Sequence, residues 1–432
     1  MMVTHREILA IALPMVLSNL SLPLVGMTDT AVMGHLPDVR YIGAVAVASS
    51  LFAFLFVIFN FLRMGATGRV AQYFGQGDDA GVGRVLIQGL ILAAGLGALL
   101  VLFQWPLARF GFDIMGAGAE VTAEAQRYFT IRIWAAPFVL ANYVLVGWFL
   151  GLQNARFPLL LTLLNNLTNI GLDFGFVLGL GMTVDGVAWA TVISEVLAFV
   201  VGLYLALGAG KGLYFIRLNH RLFPAGEFRA TMRMNRDLLI RTVSLMMVFT
   251  WFTAQGAREG ETTLAANAIL LNFFVFMAFG LDGFAHAAEA LVGKSLGQGQ
   301  RRYFLSTLKK TAQWSVLMAV IFSGFFFLFG TGMIHLLTSL HDVRQAAEIY
   351  LPWIILMSLV AVWPFWLDGV FIGGTWSEEM RNSMLVSVFG FFLTWYLLAD
   401  SGNHGLWFSL VLFFAYRAVT LGFSLKHHMA FG

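Results

Sequence analysis

Long apolar runs separated by short polar breaks fill this chain, and within each run the apolar residues are continuous rather than alternating. A bilayer crossing needs roughly 20 mainly apolar residues in a helix, so this pattern predicts transmembrane helices. Six runs fall near 8–34, 41–70, 85–108, 123–151, 157–181 and 186–208. Six more fall near 237–256, 263–293, 307–337, 346–374, 383–399 and 405–425. A membrane barrel would instead alternate with a period of two. The expected fold class is all-α, an integral membrane protein of twelve transmembrane helices.

The second set of runs repeats the first at a nearly fixed shift. Gly75-Gln76-Gly77 recurs as Gly297-Gln298-Gly299, and Ala44 and Ala46 as Ala266 and Ala268. Phe52 and Phe54 recur as Phe274 and Phe276, Tyr128 as Tyr350, and Gly147, Phe149 and Gly151 as Gly369, Phe371 and Gly373. All of these lie 222 residues apart, while Gly186 and Gly405 lie 219 apart. Two pseudo-symmetric six-helix lobes around a central cavity are therefore expected. The N-lobe takes residues 1–210, a cytoplasmic linker rich in Gly and Arg takes 211–236, and the C-lobe takes 237–432. An even number of crossings per lobe gives both copies the same orientation.

Composition agrees with lipid as the main solvent: of 432 residues, 59% are apolar and 11% charged. The first run is too long for a signal peptide, carries Asp29, and lacks a small-x-small cleavage site. With no cysteine, disulfides and thiolate metal sites are excluded. Nineteen of the 26 Lys and Arg fall at the N-terminus, the even-numbered loops and the C-terminus, which places both termini in the cytoplasm. Topology accounts for these basic loops, so no nucleic-acid partner is expected. The chain has no G-x-x-x-x-G-K-[ST] loop. Uphill transport would draw on an ion gradient or on a separate subunit. HExxH is also missing, which argues against an intramembrane metalloprotease.

Charge inside hydrocarbon costs several kcal/mol, on the order of 2.5–3.5 by insertion scales, and so marks the protein interior or a wet cavity. Six acids lie well inside the runs: Asp29, Asp173, Glu195, Asp282, Glu289 and Asp368. Against them stand Arg63 and His286, with Arg132 nearer an edge. A net acidic interior suits cations or protons. In the first run, Pro23 removes a helical bond and Gly26 loosens the turn before Asp29. A carboxyl beside weakened helix is suited to a proton switch. Thr162, Asn165, Asn169 and Asp173 share one face of the fifth run, and Thr191 and Glu195 one face of the sixth. Asn142 is a further candidate from the fourth. These oxygens suit a hard cation, sodium included, as well as a proton and its waters. Polar groups at such spacing also serve as packing contacts between helices. In the second half, Asp282, His286 and Glu289 form an i, i+4, i+7 face, read as a proton relay or a contact for a substrate cation. Asp368 sits near Trp363, Pro364 and Trp366, where a cationic ligand would meet charge and aromatic faces.

The run from Pro14 through Ser18-Asn19 and Pro23-Leu24-Val25-Gly26-Met27-Thr28-Asp29-Thr30-Ala31-Val32-Met33-Gly34-His35-Leu36 resembles the first helix of the multidrug and toxic compound extrusion (MATE) family. Within that family it resembles the bacterial DNA-damage-inducible F branch. Leu62-Arg63-Met64, Leu281-Asp282-Gly283-Phe284-Ala285, Leu367-Asp368-Gly369-Val370-Phe371-Ile372-Gly373 and Glu379-Met380-Arg381-Asn382-Ser383-Met384 carry the resemblance through the rest of the chain. It implies an inner-membrane antiporter that exports organic cations and other toxic compounds as protons, or sodium ions, enter. It assigns ion coupling to Asp29, Asn169, Asp173 and Thr191, and makes Asp282, Glu289 and Asp368 family-pattern acids of the second lobe. The acid that another branch carries on its seventh helix is not found here, where Trp251 and Gln255 stand instead. Drugs and the lipid bilayer are the expected partners, no cofactor beyond the coupling ion is implied, and a monomer is sufficient. The alternative reading is a flippase for lipid-linked precursors, which would call for a basic cavity rather than an acidic one.

Overall fold

The computed structural model describes residues 2–36, 38, 40–209 and 224–430. Fifteen α-helices follow in order: α1 (His5–Met33), α2 (Arg40–Ile58), α3 (Phe61–Gln76), α4 (Asp79–Leu102), α5 (Gln104–Met115), α6 (Ala119–Arg132), α7 (Ala136–Gly151), α8 (Arg156–Asp173), α9 (Val184–Gly208), α10 (Ala225–Arg258), α11 (Glu261–Gly297), α12 (Arg301–Leu337), α13 (His341–Gly374), α14 (Ser377–Leu397) and α15 (Gly402–Ala430). There is no strand among the described residues. Ten helical stretches among them are long and apolar enough to cross a membrane, α2 with α3 and α6 with α7 each counting once. The amide-rich α8 and the charged start of α14 set those two helices apart, and with them the expected twelve are reached.

Several runs that read as uniform in sequence are broken in the first half. The run at 41–70 divides at Phe59 and Asn60, whose N–H groups bond three residues back to Phe56 and Val57, tightening the last turn of α2. The run at 123–151 holds a 3₁₀ segment, Ile133–Ala135. Pro137 follows it at the start of α7, where it lacks the N–H that would continue α6. The fifth run ends in a π-helical turn, Phe174–Gly179, closed by Gly181 in the left-handed conformation (φ 71°). By contrast, α1 runs unbroken through Pro14 and Pro23.

The duplication is visible in the backbone. The shift of 222 carries the start of α4 onto that of α12, the end of α5 onto the end of α12, and the start of α6 onto that of α13. It also relates Gln153 (φ 62°) to Thr375 (φ 58°), the positive-φ residues other than glycine among those described. The repeated glycines explain why both copies pack alike. A Cβ on Gly147 would lie 2.3 Å from the Arg63 carbonyl oxygen, and one on Gly369 would lie 2.2 Å from that of Ala285. Gly151 meets Val70 in the same way, and Gly373 the Glu289 carbonyl. Small residues one turn apart thus bring α3 against α7 and α11 against α13, backbone to backbone.

The chain divides into two compact units. The first, Leu17–Arg229, holds most of α1, all of α2 to α9, and the start of α10. The second comprises Ala230–Gly432 together with Met1–Val16. The N-terminal segment therefore groups with the second half rather than the first. Lys310 Nζ donates to the Val3 carbonyl (2.7 Å) and Trp314 Nε1 to His5 Nδ1 (3.0 Å). Gly283 leaves room for the α1 backbone at Ala12 and Val16. Of the linker expected at 211–236, residues 211–223 lie outside the described residues. From Ala225 onward the chain is already helical, which corrects the expected linker end: Ala225 to Arg236 are the first turns of α10.

Candidate functional site

In the first unit the sequence brings its acids and amides together. Ser18 donates to Thr162 (Oγ to Oγ1, 2.8 Å), and Asn166 Nδ2 donates to Ser21 Oγ (2.9 Å) and to the Ser21 carbonyl (3.1 Å). These contacts tie α1 to the polar face of α8. Farther along the same two helices, Asp29 and Asp173 are both buried and lie within interaction distance of each other. Asp173 is the last residue of α8 before the π-helical turn, so irregular backbone lies directly beside the pair.

Asn169, one turn before Asp173, links this pair to α9. In the amide orientation that satisfies both neighbours, its Nδ2 lies 3.2 Å from Asp173 Oδ2 and its Oδ1 3.2 Å from Thr191 Oγ1. One turn beyond Thr191, Glu195 receives Asn142 Nδ2 at 2.8 Å and Asn165 Nδ2 at 3.0 Å, one on each carboxylate oxygen. The Oδ1 atoms of those two amides are buried without a hydrogen-bond partner. Asp29, Asn169, Asp173, Thr191, Asn142 and Glu195 thus form two adjoining groups on α1, α7, α8 and α9.

Sequence reasoning left Arg132 at an edge, yet it belongs to this neighbourhood. The guanidinium is half-buried and lies within electrostatic reach of Asp29, Asp173 and Glu195. Nη1 donates to Tyr128 Oη (2.8 Å) and Ser49 Oγ (3.2 Å), and the group lies over the Phe52 ring at 4.8 Å. The available signal was Tyr128 at i−4, a residue already singled out by the repeat.

The second unit departs from the acidic interior expected of it. Asp368 is held by two guanidinium groups: Arg417 Nη2 at 2.6 Å on Oδ2, and Arg241 on the same oxygen. All three residues are buried. Arg241 and Arg417 both lie inside helices, α10 and α15. This corrects the reading of Asp368 as an acid facing a cationic ligand, since it already has two cations. Nearby in sequence, Trp366 Nε1 donates to Thr311 Oγ1 (2.9 Å). On α11, His286 Nδ1 lies 3.4 Å from Glu289 Oε2, with both residues buried, and Asp282 precedes them by one turn, partly buried. No group of three or more His, Asp or Glu among the described residues is placed to hold a metal ion.

The model of the MatE family matches residues 14–174 and again 239–399, so each half of the duplication is recognised separately. The chain belongs to the MatE family. As a MatE protein it is a multi-pass membrane protein. It is 40% identical over 421 residues to the DNA damage-inducible protein F of Escherichia coli K12, covering 97% of this chain and 91% of that one. It is 26% identical over 377 residues to a probable multidrug resistance protein NorM of Synechococcus, covering 84% and 79%. Its fold matches that of a multidrug resistance MATE family transporter of the MOP superfamily solved in an outward-facing conformation. That match has a TM-score of 0.85 at 18% identity, over 98% of this chain and 95% of the other.

Proposed function

We propose that this MatE protein exports organic cations and other toxic amphiphiles across the bacterial inner membrane by alternating access, exchanging them for protons. Both termini would be cytoplasmic and one copy of the chain would suffice. The observation that carries this reading is the pair of buried, neighbouring carboxyls Asp29 and Asp173, with Asn169 and Thr191 beside it. A buried carboxyl pair holding a shared proton is a site where gaining or losing one proton changes the local charge by a full unit. Loss of that proton leaves an anion in a nearly dry place, which a lipophilic cation would neutralise. Proton and cargo then compete, each lowering the affinity for the other. The names borne by relatives, multidrug resistance above all, favour the same direction of transport.

The same oxygens are chemically suited to sodium, so the coupling ion is to be read from flux and not from ligand type. Reconstituted protein would be given a proton gradient and a sodium gradient separately, with tetraphenylphosphonium as cargo. The expected result is uptake driven by the proton gradient alone. Asp29→Asn is expected to abolish cargo-driven proton release from purified protein while leaving its thermal unfolding unchanged. Full proton release in that variant would reject the carrier role of Asp29.

A further inference from the structure

α15 has a histidine near each end, and each touches a tryptophan of the same unit, but with opposite demands on its proton. Near the start, Trp353 Nε1 donates to His404 Nδ1 at 3.0 Å, and the Tyr350 ring meets the same imidazole edge to face at 4.8 Å. An indole N–H can only donate, so Nδ1 is bare in this bond, which exists only while His404 is neutral. Near the end, the His428 ring lies parallel to the Trp376 indole, with centroids 3.8 Å and planes 7° apart, and its Nε2 is 3.1 Å from Glu379 Oε1. A protonated imidazole gains on both counts there, as a cation over an aromatic face and as the partner of a carboxylate. Trp376 is placed by the tight turn between α13 and α14, where Thr375 is left-handed (φ 58°) and the Trp376 N–H returns to the Phe371 carbonyl (2.9 Å).

The charged groups around His428 are Glu378, Glu379 and Arg381 on α14, Lys426 and His427 on α15 itself, and Arg301 of α12, which donates to the Met429 carbonyl (3.1 Å). Arg381 is engaged by Glu378 and by Asp237 of α10, which also holds Arg236, and Glu379 is the group in contact with the imidazole. Around His404 they are Asp400 in the preceding 3₁₀ segment and Glu259 just past α10, whose carboxylate faces Gly402, while Arg258 is turned to Gln255. The acids at that end favour a charged imidazole and so favour release of Trp353. The stretch Ala399–Met429 is long and apolar enough to cross a membrane. From His404 to His428 the helix rises about 36 Å, slightly more than a hydrocarbon core of roughly 30 Å, so the two imidazoles lie at opposite water faces. We propose that α15 compares the pH of the two sides: acid at the His428 face fastens the end of the helix, and acid at the His404 face frees its start. Neither imidazole is in the interior, so the device regulates transport and does not carry the exchanged proton. α15 also bears Arg417, a partner of buried Asp368, through which a change at either end reaches the interior of the second unit. Which face is cytoplasmic rests on the topology proposed above; the opposite signs do not.

The test is hydrogen exchange of purified full-length protein, read by mass spectrometry at about pH 8 and about pH 5 and corrected for the intrinsic rate at each. On going to the lower pH, protection is expected to rise about fivefold in the last turn of α15, the worth of an exposed cation–π contact with an ion pair. It is expected to fall about fivefold in the first hydrogen-bonded turn, the worth of one hydrogen bond. His428→Asn is expected to abolish the first change and keep the second, and His404→Asn the reverse. Glu379→Gln, which keeps the stack, should reduce the first change to about twofold. Trp353→Phe should leave the first turn equally open at both pH values. These two variants cover a histidine variant that folds poorly. Protection that moves the same way at both ends or not at all, or a change that survives loss of its histidine, overturns the proposal. Liposomes in which wild-type protein moves no cargo would sink the transport reading and leave this result untouched.

Discussion

At the positions where the first unit places Asp29 and Asp173, the second unit places Trp251 and Trp395, 222 residues further on. Those two indoles meet edge to face with centroids 5.1 Å apart. Asn169 likewise corresponds to Phe391, which is fully buried, and Arg132 to Ile354. One backbone plan thus carries two interiors: a group of ionisable and amide side chains in one copy, and an aromatic cluster in the other. Aromatic contacts have a single protonation state, so the second copy has lost the means to switch at these positions. Among the charges it buries, Arg241, Asp368 and Arg417 are paired with one another. The backbones differ to match. The first copy has interruptions at Phe59 and Asn60, at Phe103 and at Ile133–Ala135, where its partner helices α11, α12 and α13 are continuous, while the π-helical turn Phe174–Gly179 corresponds to the end of α14 and the 3₁₀ segment Ala399–Ser401. Irregular helix accompanies the switchable chemistry, and regular helix accompanies the fixed packing.

The sharpest way to break this comparison is to remove an acid from the second unit and set the result against Asp29→Asn. Asp368→Asn leaves Arg241 and Arg417 buried against a neutral group. Removing one partner of a buried ionic cluster costs about 3–5 kcal/mol. Thermal unfolding in detergent is expected to drop steeply for Asp368→Asn and to stay near the parent for Asp29→Asn. If Asp368→Asn kept its stability and lost only proton coupling, the division into a switching copy and a fixed copy would fail.

How much of this was legible in the sequence depends on distance along the chain. Helix number, the duplication and the polar face of α8 follow from local periodicity, because Asn165, Asn169 and Asp173 recur at the helical repeat. The closure of Asp29 onto Asp173 and the clamping of Glu195 by Asn142 and Asn165 involve separate helices, which no local spacing encodes. Arg241 and Arg417 were not legible as partners of Asp368 for a physical reason: basic residues near helix ends follow the topology rule, and a buried arginine has the same sequence appearance as one that marks the cytoplasm. The break at Asn60 was hidden because an interrupted span is as apolar as an intact one.

A second, smaller test concerns the aromatic counterparts themselves. Trp251→Leu and Trp395→Leu each lose the edge-to-face contact, and Trp251→Leu also loses part of the packing against Phe392, whose ring centroid lies 5.3 Å from that of Trp251. A cost of about 1–3 kcal/mol is expected for either, read as a lower unfolding temperature. The ratio of protons released to cargo bound should stay that of the parent protein. A changed ratio at unchanged stability would show that the second copy shares in coupling, and the contrast between the copies would have to be withdrawn.

The smallest effect tests the frame that both copies share. Gln153 and Thr375 hold the same left-handed turn after α7 and α13, a conformation that costs a residue with a Cβ about 1–2 kcal/mol. Glycine removes that cost but brings a more flexible unfolded chain, roughly 0.5–1 kcal/mol in the other direction. Gln153→Gly and Thr375→Gly are therefore both expected to stabilise slightly, by about half a kcal/mol. Thr375 should gain more because its β-branched side chain is the worse fit to positive φ, less whatever its hydroxyl contributes by donating to the Gly374 carbonyl at 2.7 Å. Matched unfolding curves for the two variants would measure this. Effects of opposite sign would mean that the two turns, alike in backbone angle, are held by different forces, and that the duplicated frame is a likeness of shape without a likeness of energy.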